Sequence, residues 1–247
     1  MAAQTLLNGL RLTLGLFTCV VLGQALGCAR KVQPEPSVEP QAAAVATSSG
    51  AVVATAQVPA SAEEPPLNPA RVGAEAPDFE LSDLNGKPVK LSSFRGKVVV
   101  LEWFNPNCPF VKASHTKGSL VNTALRQQKS GVVWLAINSA APGKQGHGLE
   151  ANRAGVERFQ LSHPVLLDES GRVGHAYGAQ HTPHMYVIDA RGTLVYRGAI
   201  DNSPDGEGES APNGKLMNYV EAAIADLGAA RPVATPETEA YGCSVKY

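Results

Sequence analysis

The sequence predicts a small α/β sandwich built on a mixed sheet. Three observations lead there: nearly continuous apolar runs of strand length, amphipathic stretches of helical period between them, and a turn at Arg191-Gly192 that sends the chain back as a hairpin. At 247 residues and 44% hydrophobic, the chain has material for one domain of ordinary size with residues to spare. A formal net charge of −1 supplies no electrostatic footprint for nucleic acid.

In chain order, residues 1–28 differ from the rest. After a start whose only cation is Arg11, Leu12 to Leu26 is mostly apolar, short for a membrane-spanning helix and suited to a signal-peptide core. It ends in Ala25-Leu26-Gly27-Cys28, which resembles the lipobox of bacterial lipoproteins, although Ala25 stands where Leu is more usual. Lipidation of Cys28 would anchor the chain to a membrane; ordinary cleavage after the same small residues is the alternative. Both readings imply export to the periplasmic or cell-surface side. Residues 29–75 lack aromatic residues and are rich in Ala, Val, Ser, Gln and Pro. Such a composition cannot bury enough apolar surface to offset its ordering entropy, so a disordered tether is expected.

Residues 76–230 hold the alternating pattern. Lys97–Phe104 (KVVVLEWF) reads as a strand buried on both faces, and Gly131–Asn138 and His184–Asp189 look similar. Helical patterns run from Pro109 to about Gln128, over Leu149–Phe159, and roughly over Glu169–Tyr177. Leu194–Ile200 is the hairpin return. A last helix is expected from about Gly214 to Leu227, with Leu216, Val220, Ile224 and Leu227 on one face. Residues 231–247 form a tail.

Three local features carry chemistry. Cys108 follows a buried strand and precedes Pro109, whose fixed φ and missing N–H suit the first helical position, so Cys108 is expected at the helix N-terminus. Free N–H groups there, with Lys112 one turn on, favour a thiolate; the bland alternative is a simply buried cysteine. Glu102, in the middle of an apolar strand, is costly to bury unless paired or protonated. Desolvation is expected to raise its pKa and to suit it to moving protons for a thiol reaction, unless it faces solvent or a salt-bridge partner. Thr182-Pro183 opens the strand HMYVID, and an X-Pro bond is the one that can be cis.

Glu102, Cys108-Pro109 and Thr182-Pro183, with APDFELSDLNGKPVKLSSFRGKVVVLEWF leading in, resemble the thioredoxin fold. More narrowly they resemble its redoxin group, the alkyl hydroperoxide reductase and thiol-specific antioxidant relatives. The resemblance implies a three-layer α/β/α sandwich and a thiol-dependent oxidoreductase needing no cofactor or metal. Its substrates would be protein thiols and disulfides or a hydroperoxide, with an unidentified electron donor. Cys108 would be the nucleophile, Glu102 the buried acid beneath it and Pro183 a cis-proline, with Thr182 offering backbone groups to an extended substrate. There are departures. Val111 occupies the place of a second thiol in a Cys-x-x-Cys pair, Lys112 that of the second cysteine in a copper-delivery relative, and Asn105 that of the Thr or Ser of peroxiredoxins. Asn105 lacks a hydroxyl but could still donate through its amide.

Of four cysteines, Cys19 and Cys28 belong to the leader and its end, which leaves Cys108 and Cys243 in the mature part. The stretch from Arg231 to Cys243 can reach up to about 40 Å when extended, enough to return to the active-site end. The pair could work as nucleophile and resolving cysteine, in disulfide exchange or peroxide reduction. It could instead be a structural bond in a non-catalytic binding module, closing a long loop for about 5 kcal/mol in the chain-entropy model. The redox reading is preferred because a structural bond would consume the best-activated thiol. Among the histidines, His115 lies on the face of Cys108 but about 10 Å along the helix, too far to be its direct base. His181 and His184 flank Thr182-Pro183. His184 is taken as a substrate-contacting or proton-transfer residue, with a metal site on Cys108 and these two histidines as the alternative. His147, His163 and His175 are left as surface or packing residues, and the acidic stretch 201–210 as a solvated loop.

Overall fold

The central strand is the one the sequence marks most strongly. In the computed structural model, which describes residues 66–247, Val99–Trp103 (β3 of the full order below) is buried at all five positions. Its main chain is satisfied on both sides, so apolar residues can fill both of its faces. In chain order the strands are β1 (Glu80–Asp83), β2 (Pro88–Lys90), β3, β4 (Val133–Asn138), β5 (Val165–Leu167), β6 (His181–Thr182), β7 (His184–Ile188), β8 (Leu194–Gly198) and β9 (Cys243–Ser244). The helices are α1 (Pro109–Thr116), α2 (Thr123–Lys129), α3 (Leu149–Phe159), α4 (Arg172–Tyr177) and α5 (Tyr219–Gly228). The first sheet runs β2-β1-β5-β4-β3-β7-β8, and β6 pairs with β9 in a second. β3, β4 and β5 are parallel neighbours, while β7 and β1 pair antiparallel to β3 and β5. This is the mixed sheet expected.

Alternation along β3 divides the core. Leu101 and Trp103 face one side, with Tyr177 of α4, Tyr186 and Phe79. Val100 and Phe104 face the other, where Val111 of α1, Ala124 of α2, Phe159 of α3 and Val220 of α5 cover the sheet. Helices on both faces of one sheet complete the three-layer α/β/α sandwich.

Several expected boundaries move, each for a local reason. The helix from Pro109 to Gln128 is two helices: the chain breaks at Gly118, which lies so close to the Gly206 backbone that a Cβ would collide with its carbonyl. The helix expected from Glu169 starts at Arg172, because the Asp168 carboxylate accepts the N–H groups of Val173 and Gly174 as a cap. The last helix starts at Tyr219, where the Asn218 side chain accepts the Glu221 N–H, so Leu216 stands outside it and 49% exposed. Residues 66–75, expected within the tether, pack on the domain: Ala70 is buried and donates to the Ala176 carbonyl, and Glu75 bridges to Thr193. The expected signal segment, Cys28 and the remainder of the tether lie outside the described residues.

Tail residues 231–247 also pack on the domain. Arg197 N–H donates to the Pro236 carbonyl, Thr238 N–H to the Arg197 carbonyl, and Ala199 N–H to Thr238 Oγ1. Tyr241 hydroxyl donates to Asp201, Val245 N–H to the Gln180 carbonyl, and Tyr247 hydroxyl to the Ala179 carbonyl.

Leu101→Ala, in the fully buried strand, is expected to lower unfolding free energy by about 2–5 kcal/mol. Leu216→Ser should change it by less than about 0.5 kcal/mol, since that side chain lies outside the helix and half in solvent. Urea midpoints at unchanged m-value check both.

Candidate active site

The site forms where β3 ends and α1 begins. Cys108 has extended backbone (φ −79°, ψ 126°) and is the N-cap of α1, with Pro109 at the first helical position. Its carbonyl accepts the Lys112 N–H. The Cys108 side chain is only 1% exposed, packed with Phe104, Val111, Ala136 and Phe159. Lys112 is exposed.

Two partners meet the Cys108 sulfur. It donates to the Thr182 carbonyl at 3.0 Å, and the Cys243 sulfur stands 2.8 Å away, both cysteines being free thiols. Main-chain pairing brings Cys243 there: β9 lies antiparallel to β6, with Cys243 opposite Thr182 and Ser244 opposite His181. The Thr182–Pro183 peptide is cis. Burial, followed by the hydrogen bond and charge of Cys108, pushes the Cys243 thiol up to about 11. A thiol so placed stays protonated at neutral pH.

Glu102 is fully buried, and its carboxylate answers to side chains other than the cysteines. Oε1 lies 2.7 Å from His115 Nε2, and Oε2 accepts the Trp134 indole N–H at 3.1 Å. Burial pushes its pKa up, but the charge and hydrogen bond of His115, with help from His163 and Trp134, outweigh that and hold it below the ordinary carboxylate value. The expected upward shift is therefore corrected, because the carboxylate has partners that favour its charge. His115 was excluded by sequence as a base for Cys108; its role is to meet Glu102, stacked on Phe159 and edge-on to Phe104. Its signal was its position seven residues after Cys108, two turns along the same helical face as the buried strand requires.

The remaining expected site residues separate. The Asn105 amide donates to the Gln145 carbonyl and its Oδ1 accepts the Asn107 N–H, so the side chain braces the loop before Cys108. His184 is buried beside Tyr186, with Nδ1 hydrogen-bonded to the Gln180 N–H and the Tyr186 hydroxyl. Burial, then His181 and Arg197, pulls it down to about 3, so it is neutral at physiological pH and is not a proton donor as imidazolium. No hydrogen bond joins it to either sulfur. His163 is buried and pulled down to about 4 by burial, and His175 stacks on Tyr247 at 4.0 Å.

The sequence matches the Redoxin family over residues 71–214, more than half of the chain. The chain belongs to the Redoxin family. Among curated relatives this redoxin is similar to thiol-disulfide oxidoreductase ResA of Geobacillus thermodenitrificans, 35% identical over 124 residues, which cover 50% of this chain and 66% of the relative, just under two thirds of its length. Among solved structures it is similar to a hypothetical protein of Sinorhizobium meliloti (27% identity, TM-score 0.63, 74% of this chain and 98% of that one). An uncharacterized conserved protein of Geobacillus kaustophilus is similarly placed, at 30% identity, TM-score 0.63, and 75% and 98% coverage. The match to the curated relative leaves half of this chain uncovered, and the two structural relatives, covered almost completely, carry no described activity.

The Glu102 carboxylate contributes stability that is fully present above the unfolded carboxyl value of about 4.3 and is lost as pH falls through its lower folded value. His115→Leu is expected to cost about 3–5 kcal/mol at pH 7 by stranding that charge. The gap from wild type should narrow as pH falls, because without His115 burial raises the Glu102 pKa and the variant's carboxyl takes up a proton while the wild-type carboxylate is still paired. Urea titrations at several pH values check it, and a gap independent of pH would show that the pair is not ionic.

Proposed function

We propose that this redoxin is a thiol–disulfide oxidoreductase whose working pair is Cys108 and Cys243. The approach of the two sulfurs to 2.8 Å, at a helix N-terminus and beside the Thr182 carbonyl, carries the reading. The Cys108 thiolate attacks one sulfur of a substrate disulfide; a mixed disulfide forms and one substrate thiolate leaves. Cys243 then attacks the Cys108 sulfur. The bond to the substrate breaks, the second substrate thiolate departs with the proton that Cys243 gives up, and a Cys108–Cys243 disulfide remains. An external dithiol returns the pair to two thiols. Glu102 acts as a positioning residue through His115, holding α1 on β3. Export and anchoring through Cys28 form part of the same proposal, supported by residues 12–28 of the sequence.

Disulfide exchange is preferred over peroxide reduction on one observation: the Asn105 amide, at the position where a hydroxyl serves peroxiredoxins, is committed to Gln145 and Asn107. Cys108→Ser is expected to reduce exchange with a small aromatic disulfide to background. Cys243→Ser should accumulate a mixed disulfide on Cys108, detectable as added mass. Activity retained by Cys108→Ser, or a Cys108–Cys243 bond that resists mild dithiol reductant, would overturn the reading. Rapid consumption of hydrogen peroxide would favour a peroxidase.

A further inference from the structure

The tail does more than deliver a sulfur. With β9 in place Cys108 is 1% exposed, and the one β6 edge beside its sulfur is already paired. A polypeptide strand that pairs with His181 and Thr182 in place of β9 brings its sulfur to Cys108 where Cys243 now stands. The tail therefore serves as a template for what that edge accepts, and its residues state the requirements. Gly242 has φ +125°, and a Cβ there would press into the Thr182 carbonyl and toward Pro183. A side chain just before the cysteine is thus excluded by both backbone conformation and space. One residue earlier, Tyr241 packs on Phe110 with ring centres 6.4 Å apart and donates to Asp201.

The grip on the rest of the tail is short. Beyond Cys243 it rests on two residues of β9, the Val245 N–H to the Gln180 carbonyl with the Val245 side chain against the core, the Lys246 carbonyl taking the Ala141 N–H, and Tyr247 stacked on His175 with its hydroxyl on the Ala179 carbonyl. So few main-chain bonds, made by a segment that is half-buried at most of its residues, suit a stretch that can leave without unfolding the domain.

Building on the disulfide-exchange reading, we propose that residues 241–247 are a displaceable occupant of the partner site. The partner is an extended polypeptide whose reactive cysteine follows a glycine, itself preceded by an aromatic residue, and it replaces β9 strand for strand. Main-chain pairing supplies the register and the missing Cβ supplies the selection.

Two seven-residue probes test this in the full chain: Tyr-Gly-Cys-Ser-Val-Lys-Tyr and the same peptide with Ala before the cysteine. Each is activated as a mixed disulfide with thionitrobenzoate. The Cys108 thiolate attacks the peptide sulfur, the bond to thionitrobenzoate breaks, and that group leaves as a coloured thiolate while a Cys108–peptide disulfide forms. In Cys243→Ser the chain's own strand still covers Cys108 and the reaction is slow. Adding Gly242→Ala, which the Thr182 carbonyl should evict, is expected to speed reaction with the glycine peptide at least about tenfold. Tyr247→Ala, releasing the far end of the tail, should act in the same direction. In both double variants the alanine peptide should react at least about tenfold more slowly than the glycine peptide. Equal rates for the two peptides, or no gain from either variant, would overturn the proposal while leaving exchange at Cys108 intact. Loss of reaction with a small aromatic disulfide as well would overturn the exchange reading beneath it.

Discussion

A carboxylate buried at the middle of the central strand has to find partners, and much of the site follows from how it does. Glu102 is paired through its main chain with Ala136 of β4 and Met185 of β7, and its side chain is fully buried. Leaving the charge unpaired there would cost more than a small domain can spare. His115 answers from α1 and Trp134 from β4. Since α1 begins directly after β3 at Cys108-Pro109, the bond from His115 holds two helical turns against the strand that precedes them. The N-terminus of that helix, and the sulfur on it, acquire a defined place as a result.

The second requirement is met by a segment far away in sequence. Cys108 needs something over it, and β9 arrives from the end of the chain, separated by 135 residues. Closing so long a loop is entropically unfavourable, though the cost grows only slowly with length. It is offset along the way by Thr238 on β8, by Tyr241 on Asp201 and by Tyr247 on His175. Contacts spread in this manner hold the tail in register without any single strong one, which is also what allows its last residues to give way.

The parts of the fold legible in the sequence were those whose signal is local. β3, β4 and β7 could be read because fully buried strands are continuous apolar runs, and α3 because its period is unbroken from Leu149 to Phe159. Helix ends depended on groups outside the helix: the Gly206 backbone against Gly118, the Asp168 cap before α4, and Asn218 before α5. The short strands β1, β2, β5, β6 and β9 were hidden because two to four residues carry no measurable period, and their pairing partners are remote. His163, buried and neutral, looked in sequence like any other histidine, and His184 stood out only for its place beside Thr182-Pro183, which says nothing of its burial.

By itself the sequence determined the α/β class, Cys108 at a helix start and an acid six residues before it in an apolar strand, and it pointed to Cys243 as the other thiol, because residue types and spacing along the chain carry each of these. Only the tertiary structure decided that Glu102 stays charged through His115, that Asn105 turns to the loop, and that Cys243 reaches Cys108 by pairing with Thr182. Those outcomes are set by which groups meet across the fold, and neither electrostatic partners nor strand register between distant segments is written in local sequence.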